Sequence, residues 1–249
     1  MKREAKFGSE NLTIPAMVEV VQNGLSKRSN PGRAGPMAAY MKTVMPFYGV
    51  EKRGRVEVFR GVRTSFVPKN FDEYNEAVLA LWSLPHREEK YLAITLARTY
   101  PDFIGLPSLP LYERMIREGP WWNLVDEPAI HLVGQVYLDA EPKMGAILNR
   151  WIDDPDLWIR RTAILAQISH KEWTDSKRLF RYCLRRASET EFFIRKAIGW
   201  ALREYAKTAP HEVADFLRKN RPALSGLSFR EAAKGVTRAG VKLYPNFAS

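Results

Sequence analysis

One short segment, residues 120–126 with the sequence PWWNLVD, holds the residue types most able to do chemistry. Trp122 and Asp126 are four residues apart, so a helix places both side chains on one face. This face continues through Ile130 and Val133, and a carboxylate on an apolar face needs a cationic partner if it is to be buried. Aromatic rings beside a carboxylate are suited to hold a sugar whose ring becomes positively charged during a reaction.

Arg161 is a cation that could meet this carboxylate. It follows Trp158 by three residues, so a helix places both residues on one apolar stripe. Trp200 lies on a similar stripe further along the chain. The pattern predicts one site made of four residues: Trp122, Asp126, Arg161 and Trp200. The same spacing also fits a purely structural interpretation, in which the aspartate and the arginine form a buried salt bridge between neighbouring helices.

Helical periodicity extends along the chain, and the sequence contains no alternating strand pattern bounded by hairpin turns. The first helices are predicted at residues 15–26, 36–45, 51–64 and 71–84. From about residue 85 the sequence repeats, with equivalent alanines spaced by 36, 34 and 34 residues at Ala93, Ala129, Ala163 and Ala197. Each repeat holds a long helix and then a shorter one, as at residues 143–151, 176–186 and 211–220. Paired helices with this period predict an all-α fold, an α-solenoid.

Asp126 and Arg161 lie three and two residues before equivalent alanines, so they come from similar heights on neighbouring helices. Stacked repeats would bring all four site residues close together on one wall of the solenoid. No linker-like segment interrupts the repeats, so we predict one domain over residues 13–249. Residues 1–12 are expected to form a polar lead-in that precedes it.

Charge and composition narrow the function classes. The 249 residues carry 39 Lys and Arg against 28 Asp and Glu, and this net charge of +11 favours an anionic partner such as nucleic acid. A lone cysteine, Cys183, excludes an internal disulfide and a multi-cysteine zinc site, and the histidines show no metal-binding spacing. We therefore expect no metal and no other cofactor.

Two further observations bear on the cellular location of the protein. No apolar run approaches the roughly 20 residues that span a bilayer. The N-terminal residues are charged and lack the apolar core of a secretion signal. We expect a cytoplasmic protein that does not contact a membrane.

Several runs of the sequence resemble a known family. The segments GPWWNLVDEPA, DLWIRRTAILAQ and EFFIRKAIGWALREYAKTAP, with PMAAYMK upstream, closely resemble the AlkD-type DNA alkylation-repair glycosylases. The resemblance extends from about residue 30 to the last helix. It implies HEAT-like helical repeats whose concave basic surface holds duplex DNA. It also implies cleavage of the glycosidic bond of cationic alkylpurines, such as 7-methylguanine and 3-methyladenine.

The resemblance implies roles for individual residues. By motif position, Asp126 matches the catalytic aspartate, and Trp122 and Trp200 match the paired tryptophans of the active site. Arg161 matches the active-site arginine and would bind a flanking phosphate. Tyr40, in PMAAYMK, matches a tyrosine that the family presents near the DNA.

We therefore predict a monofunctional alkylpurine DNA glycosylase that acts on duplex DNA as a monomer. Asp126 would stabilise the oxocarbenium ion and orient the attacking water. The alternative, from a different class, is a HEAT-repeat module that binds duplex DNA without catalysis, since solenoids often serve only as binding surfaces. The presence of all four site residues favours the enzyme, and a solenoid that binds only proteins fits the positive charge poorly.

The charge excess leads to a first prediction. Protein cations that contact phosphates release counterions, so the affinity for duplex DNA should fall steeply between about 50 mM and about 200 mM salt. The affinity should depend little on base sequence, because phosphate contacts carry no sequence information. Fluorescence anisotropy of a labelled duplex over a salt series measures both. An affinity that is independent of salt would contradict the DNA interpretation.

Overall fold

The computed structural model describes residues 11–141 and 143–244. Within those residues every regular element is a helix and no strand occurs, which confirms the predicted all-α fold. Internal contacts divide the chain into two compact units, Met1–Phe103 and Ile104–Ser249. Most of the predicted lead-in, residues 1–12, lies outside the described residues, and the single domain over residues 13–249 stays a prediction.

The first unit contains the helices α1 (Ile14–Ser26), α2 (Pro31–Tyr40), α3 (Lys52–Ser65), α4 (Phe71–Trp82) and α5 (Arg87–Thr99). Helix α1 packs against α3, α4 and α5. Val21, Val62 and Val78 are fully buried in this core, each on the apolar face of its helix. The predicted first, third and fourth helices agree with the structure to within two residues at each end.

The predicted second helix, residues 36–45, is wrong in its bounds. Helix α2 begins at Pro31, ends at Tyr40 and contains Pro36 in its interior. Pro31 is accepted in the first turn of α2, because the N–H groups there have no partner within the helix. Lys42 adopts the left-handed conformation, with φ of 49°, just after the helix ends. No residue of α2 is buried, so no apolar face marks its start in the sequence.

The second unit contains the helical repeats. Its α-helices are α6 (Leu109–Glu118), α7 (Trp122–Pro128), α8 (Gly134–Ala140), α9 (Lys143–Trp151), α10 (Leu157–Leu165), α11 (Ser176–Arg185), α12 (Phe192–Tyr205), α13 (Pro210–Lys219) and α14 (Gly226–Arg238). Helices α7, α10, α12 and α14 each pack on the next. Helices α9, α11 and α13 each pack on the helices before and after them. This unit has the solenoid arrangement that the repeat period predicts.

A π-helical turn, Ala129–Val133, joins α7 to α8 directly after the predicted site. Pro128 has no N–H group and cannot donate a hydrogen bond to the carbonyl of Leu124, so the regular α-helical ladder is interrupted there. A π turn widens the helix by about one residue and rotates the residues that follow it. Ile130 and Val133 therefore do not continue the regular α-helical face that carries Asp126.

Two glycines allow α12 and α14 to approach closely. A Cβ atom at Gly199 would lie 2.5 Å from the Cβ of Glu231 and 2.9 Å from the carbonyl oxygen of Ser228. A Cβ at Gly235 would lie 2.6 Å from the carbonyl oxygen of Arg203. These distances are shorter than van der Waals contact, so both positions require glycine. Because Gly199 precedes Trp200, this packing also fixes the position of the tryptophan.

We predict that Gly199→Ala destabilises the protein. The added methyl group forces α12 away from α14, and overpacking of this kind costs about 1–3 kcal/mol. Thermal unfolding followed by circular dichroism measures the loss. Gly61→Ala is the matched control, because Gly61 lies on the exposed side of α3 with no atom within 4 Å of the added carbon. That change should stabilise the helix by up to about 1 kcal/mol. Equal melting temperatures for the two variants would contradict the close approach.

Candidate functional site

The centre of the site is a buried ion pair between Asp126 and Arg161. The Nε atom of Arg161 donates to Oδ1 of Asp126 at 2.7 Å, and Nη2 donates to Oδ2 at 2.8 Å. The Asp126 side chain is only 12% exposed and the Arg161 side chain only 5%. The Nη1 atom of Arg161 donates to the backbone carbonyl of Phe193 at 2.5 Å. One guanidinium therefore connects α7, α10 and α12.

A pocket of about 350 Å³ opens beside this ion pair. Its lining residues are Trp122, Asp126, Arg161, Phe192, Phe193, Lys196, Trp200, Arg203 and Glu231. We call it the Asp126 pocket. The structure thus brings together the four residues that the sequence pattern placed in one site. Trp122 is 38% exposed and presents part of its indole ring to solvent.

An aromatic cluster packs behind the ion pair. The ring of Trp121 lies 5.5 Å from that of Phe193 and 6.3 Å from that of Trp158, measured between centroids. The rings of Trp158 and Phe193 are 4.9 Å apart, and the guanidinium carbon of Arg161 lies 5.9 Å from the Phe193 ring. The two consecutive tryptophans therefore differ in role: Trp121 packs within the cluster, whereas Trp122 faces the pocket.

Opposing effects act on the pKa of Asp126. Burial raises this pKa above its ordinary value, and the hydrogen bonds from Arg161 offset only part of that increase. Both carboxylate oxygens accept hydrogen bonds from a guanidinium, which is the geometry of an ionised aspartate. Asp126 therefore binds a proton at a higher pH than an ordinary aspartate does, and it is a carboxylate when the pair is intact.

A second carboxylate, Glu231, lines the same pocket from α14. The Nζ atom of Lys234 lies 2.7 Å from its Oε1 atom and that of Lys196 lies 3.4 Å from it, and Arg203 also donates to Glu231. The hydrogen bond from Lys234 is the main cause that lowers the pKa of Glu231. Glu231 is therefore ionised and surrounded by cations.

Sequence analysis missed several residues of the pocket. Lys196 and Arg203 lie four residues before and three residues after Trp200, so helical spacing alone could have identified them. Phe192 is 50% exposed at the first position of α12. Glu231 belongs to α14, which lies beyond the last of the equivalent alanines, so the repeat pattern gave no signal for it.

The remaining sequence candidates lie elsewhere. Tyr40 is in the first unit, at the end of α2, and is 75% exposed. Its predicted contact with DNA stays a prediction. Cys183 is fully buried in α11, and burial raises the pKa of its thiol, so it packs as a small apolar residue. Glu204 lines a neighbouring pocket and pairs with Lys207. No helix in the described part of the chain is long and apolar enough to cross a membrane.

Comparisons with known proteins identify the family of the chain. A family model described as DNA alkylation repair enzyme matches residues 21–236. A solved structure of a predicted DNA alkylation repair enzyme from Enterococcus faecalis is 28% identical, with a TM-score of 0.75 over 83% of this chain and 96% of that chain. A comparison with curated proteins gives no match. Because the family model matches most of its length, the chain belongs to the DNA alkylation repair enzyme family.

Proposed function

We propose that the protein is a monofunctional DNA glycosylase that hydrolyses the N-glycosidic bond of cationic alkylpurines in duplex DNA. Family membership supports a role in the repair of alkylated DNA. The observation that carries the finer proposal is the Asp126 pocket, where an ionised carboxylate and two tryptophans, Trp122 and Trp200, face the same space. The substrates that fit this chemistry include 7-methylguanine and 3-methyladenine.

The reaction needs little from the protein beyond charge and shape. An alkylated purine already carries a positive charge, so the base leaves with the electron pair of the C1′–N bond and becomes neutral without being protonated. The deoxyribose becomes an oxocarbenium ion, as in glycoside hydrolysis. Water then attacks C1′ and transfers a proton to a neighbouring carboxylate, which releases it to solvent. A carboxylate beside C1′ stabilises the cation and accepts a hydrogen bond from the water, and we assign this role to Asp126.

The tryptophans complement the carboxylate. The faces of aromatic rings attract cations, and their bulk excludes water from the edge of the sugar. Trp122 reaches the pocket from α7 and Trp200 reaches it from α12, so the sugar would be bounded by both helices. An open pocket of this kind does not need to enclose the base.

The structure changes the role that we assign to Arg161. Sequence analysis predicted that its guanidinium binds a flanking phosphate, but three of its N–H groups donate within the protein, two to Asp126 and one to Phe193. We propose that Arg161 is a positioning residue that orients the carboxylate and keeps it ionised. Lys196, which lines the same pocket and has a side chain that is 40% exposed, is better placed to meet a phosphate.

The second candidate function is a non-catalytic module that binds duplex DNA. The bidentate contact between Asp126 and Arg161 is the observation that favours it, because a buried salt bridge is a sufficient structural reason for both residues. In that case the carboxylate would hold α7 to α10 and would take no part in a reaction. The two candidates make different predictions for one substitution.

We predict that Asp126→Asn slows the release of 7-methylguanine by at least about tenfold, which is about 1.4 kcal/mol in the barrier. The substitution keeps the shape of the side chain but removes the charge that matters in the transition state. Single-turnover base release from methylated duplex DNA measures the rate. The affinity for DNA should hold or rise, since one repulsive charge disappears. The variant should also melt at a lower temperature, because Arg161 is left buried without its partner.

The matched control is Glu127→Gln, which removes the same charge one residue away. The Glu127 side chain is 50% exposed and does not line the pocket, so its rate should equal that of the native protein. Rates are expressed per folded molecule, using the folded fraction from the melting curve. If Asp126→Asn melts earlier but releases base at the native rate per folded molecule, the carboxylate is structural and the catalytic assignment fails.

The pH dependence provides a second test of the same site. Catalysis needs ionised Asp126, and burial raises the pKa of this carboxyl above its ordinary value. We therefore expect the single-turnover rate to fall as the pH falls, starting at a higher pH than an ordinary aspartate would give. Spontaneous loss of the alkylated base, measured without protein, is subtracted at each pH.

The Asp126→Asn variant should have a flat profile of its residual rate over this pH range. Glu127→Gln should keep the fall in rate but at a slightly lower pH, because the charge of Glu127 contributes to the raised pKa of Asp126. A native profile that is flat after correction for the folded fraction would show that no group with a raised carboxyl pKa takes part in the reaction.

A further inference from the structure

A loop between α10 and α11 presents an unusual side chain to solvent. Trp173 lies in this loop, residues 169–175, and is 77% exposed. We call the segment the Trp173 loop. A tryptophan side chain is normally largely buried, because its large apolar surface is unfavourable in water. An indole ring held outside the core is therefore available to contact a ligand.

The loop is anchored at both ends. The Nε2 atom of His170 lies 3.0 Å from the carbonyl oxygen of Gly134, and burial lowers the pKa of His170, so the neutral ring donates this hydrogen bond. At the other end, the backbone N–H of Asp175 donates to the Gln167 side chain at 2.7 Å. The Asp175 carboxylate in turn accepts a hydrogen bond from the backbone N–H of Arg178 at 2.9 Å. Trp173 is thus exposed on a fixed loop, not on a loose one.

Backbone strain marks the same loop. Lys171 has a φ of 53°, in the left-handed region that residues other than glycine rarely adopt. Strain of this kind persists where the surrounding contacts enforce it and is concentrated at ligand-binding positions. Here it places a lysine, and not a glycine, two residues before the exposed tryptophan.

The Trp173 loop borders a second pocket, which shares one lining residue with the first. This pocket of about 540 Å³, which we call the Lys171 pocket, is lined by Lys171, Thr174, Lys207 and Trp200, among others. Trp200 also lines the Asp126 pocket, so one indole ring contributes to the walls of both. Lys207 is paired with Glu204, whereas Lys171 has no ion-pair partner among residues 11–141 and 143–244. Its charge is available to an anion.

We propose that the Trp173 loop is a second DNA-binding element, which contacts the sugar–phosphate backbone beside the lesion. Trp173 packs its ring on a deoxyribose face, and Lys171 meets the adjacent phosphate. The proposal rests on the proposed function, in which duplex DNA lies over Trp200. Aromatic rings next to lysines are a recurrent way to hold a nucleic-acid strand without reading its sequence. The loop would therefore add affinity and position the duplex, while the bond is cleaved in the Asp126 pocket.

Trp173→Ala tests the aromatic contact. We expect at least about a fivefold loss of affinity for duplex DNA that contains 7-methylguanine, and an unchanged single-turnover rate once DNA is saturating. Leu184→Ala is the matched control, because Leu184 is an exposed apolar residue of α11 (40% exposed) outside both pockets. It should bind DNA as the native protein does. Acrylamide quenching of the native protein and of Trp173→Phe gives the Trp173 signal by difference, and DNA should protect it.

Lys171→Gly tests the phosphate contact without straining the loop, because glycine adopts the left-handed conformation freely. The slope of log affinity against log salt should fall by about one, the loss of one phosphate contact. Circular dichroism and melting curves confirm that each variant is folded.

The proposal fails if Trp173→Ala binds DNA as tightly as the native protein, or if Trp173 stays equally open to acrylamide in the complex. Failure of the proposed function would look different, because the native protein would then release no alkylated base. A protein that excises base normally while Trp173 stays exposed and dispensable overturns only this inference. Loss of the saturated rate in Trp173→Ala would also overturn it, since the loop would then be part of the reaction centre.

Discussion

The arrangement of α7, α10 and α12 in the second unit depends on one guanidinium, that of Arg161. Arg161 is buried, and its three hydrogen bonds join a carboxylate on α7 to a backbone carbonyl at the start of α12. Apolar contacts between helices of consecutive repeats set a distance but allow sliding, and further polar contacts, such as that of Arg203 with Glu231 between α12 and α14, also join neighbouring helices. Hydrogen bonds with fixed directions remove that freedom, because a displaced partner would leave a buried charge unpaired at a cost of about 3–5 kcal/mol. The shape of the Asp126 pocket follows from this constraint.

The ion pair between Asp126 and Arg161 has two opposite effects on the chemistry of the carboxylate. A carboxylate that already pairs with Arg161 attracts a second cation less strongly than a free carboxylate would. In exchange, its orientation is fixed before a substrate arrives, so no reorganisation is needed as charge develops. Glu231, on α14, lines the same pocket and pairs with cations. Under the proposed function, Asp126 would be the fixed anion for a cationic sugar, and Lys196 would be available to a phosphate beside it.

The sequence predicts the parts of the site that depend on local helical periodicity. Trp122 and Asp126 lie in one helical segment, and Arg161 lies at a similar height in the next repeat, so spacing predicts that the three residues are close. Spacing could not predict features that depend on tertiary packing. One hydrogen bond of Arg161 goes to the backbone carbonyl of Phe193, and a backbone group leaves no signal in the sequence. Pro128 indicates an interruption of the helix but not that the chain continues through a π turn, and the early start of α2 has no buried face to mark it.

The chemistry of the pocket wall bears on how a lesion would be selected. The lining residues are aromatic or charged, and none of them carries a neutral amide or hydroxyl group. Such groups are typical partners for reading the edge of an adenine. The lysine and arginine side chains that could read a guanine are paired with Asp126 or Glu231, so the wall has little means of recognising a base by its hydrogen-bonding pattern. The pocket wall instead distinguishes bases by their charge and their apolar surface. An alkylated purine differs from an ordinary purine in its positive charge and its weakened glycosidic bond. Under the proposed function, a fixed carboxylate in a pocket with two indole rings would favour the lesion because the lesion is already close to leaving.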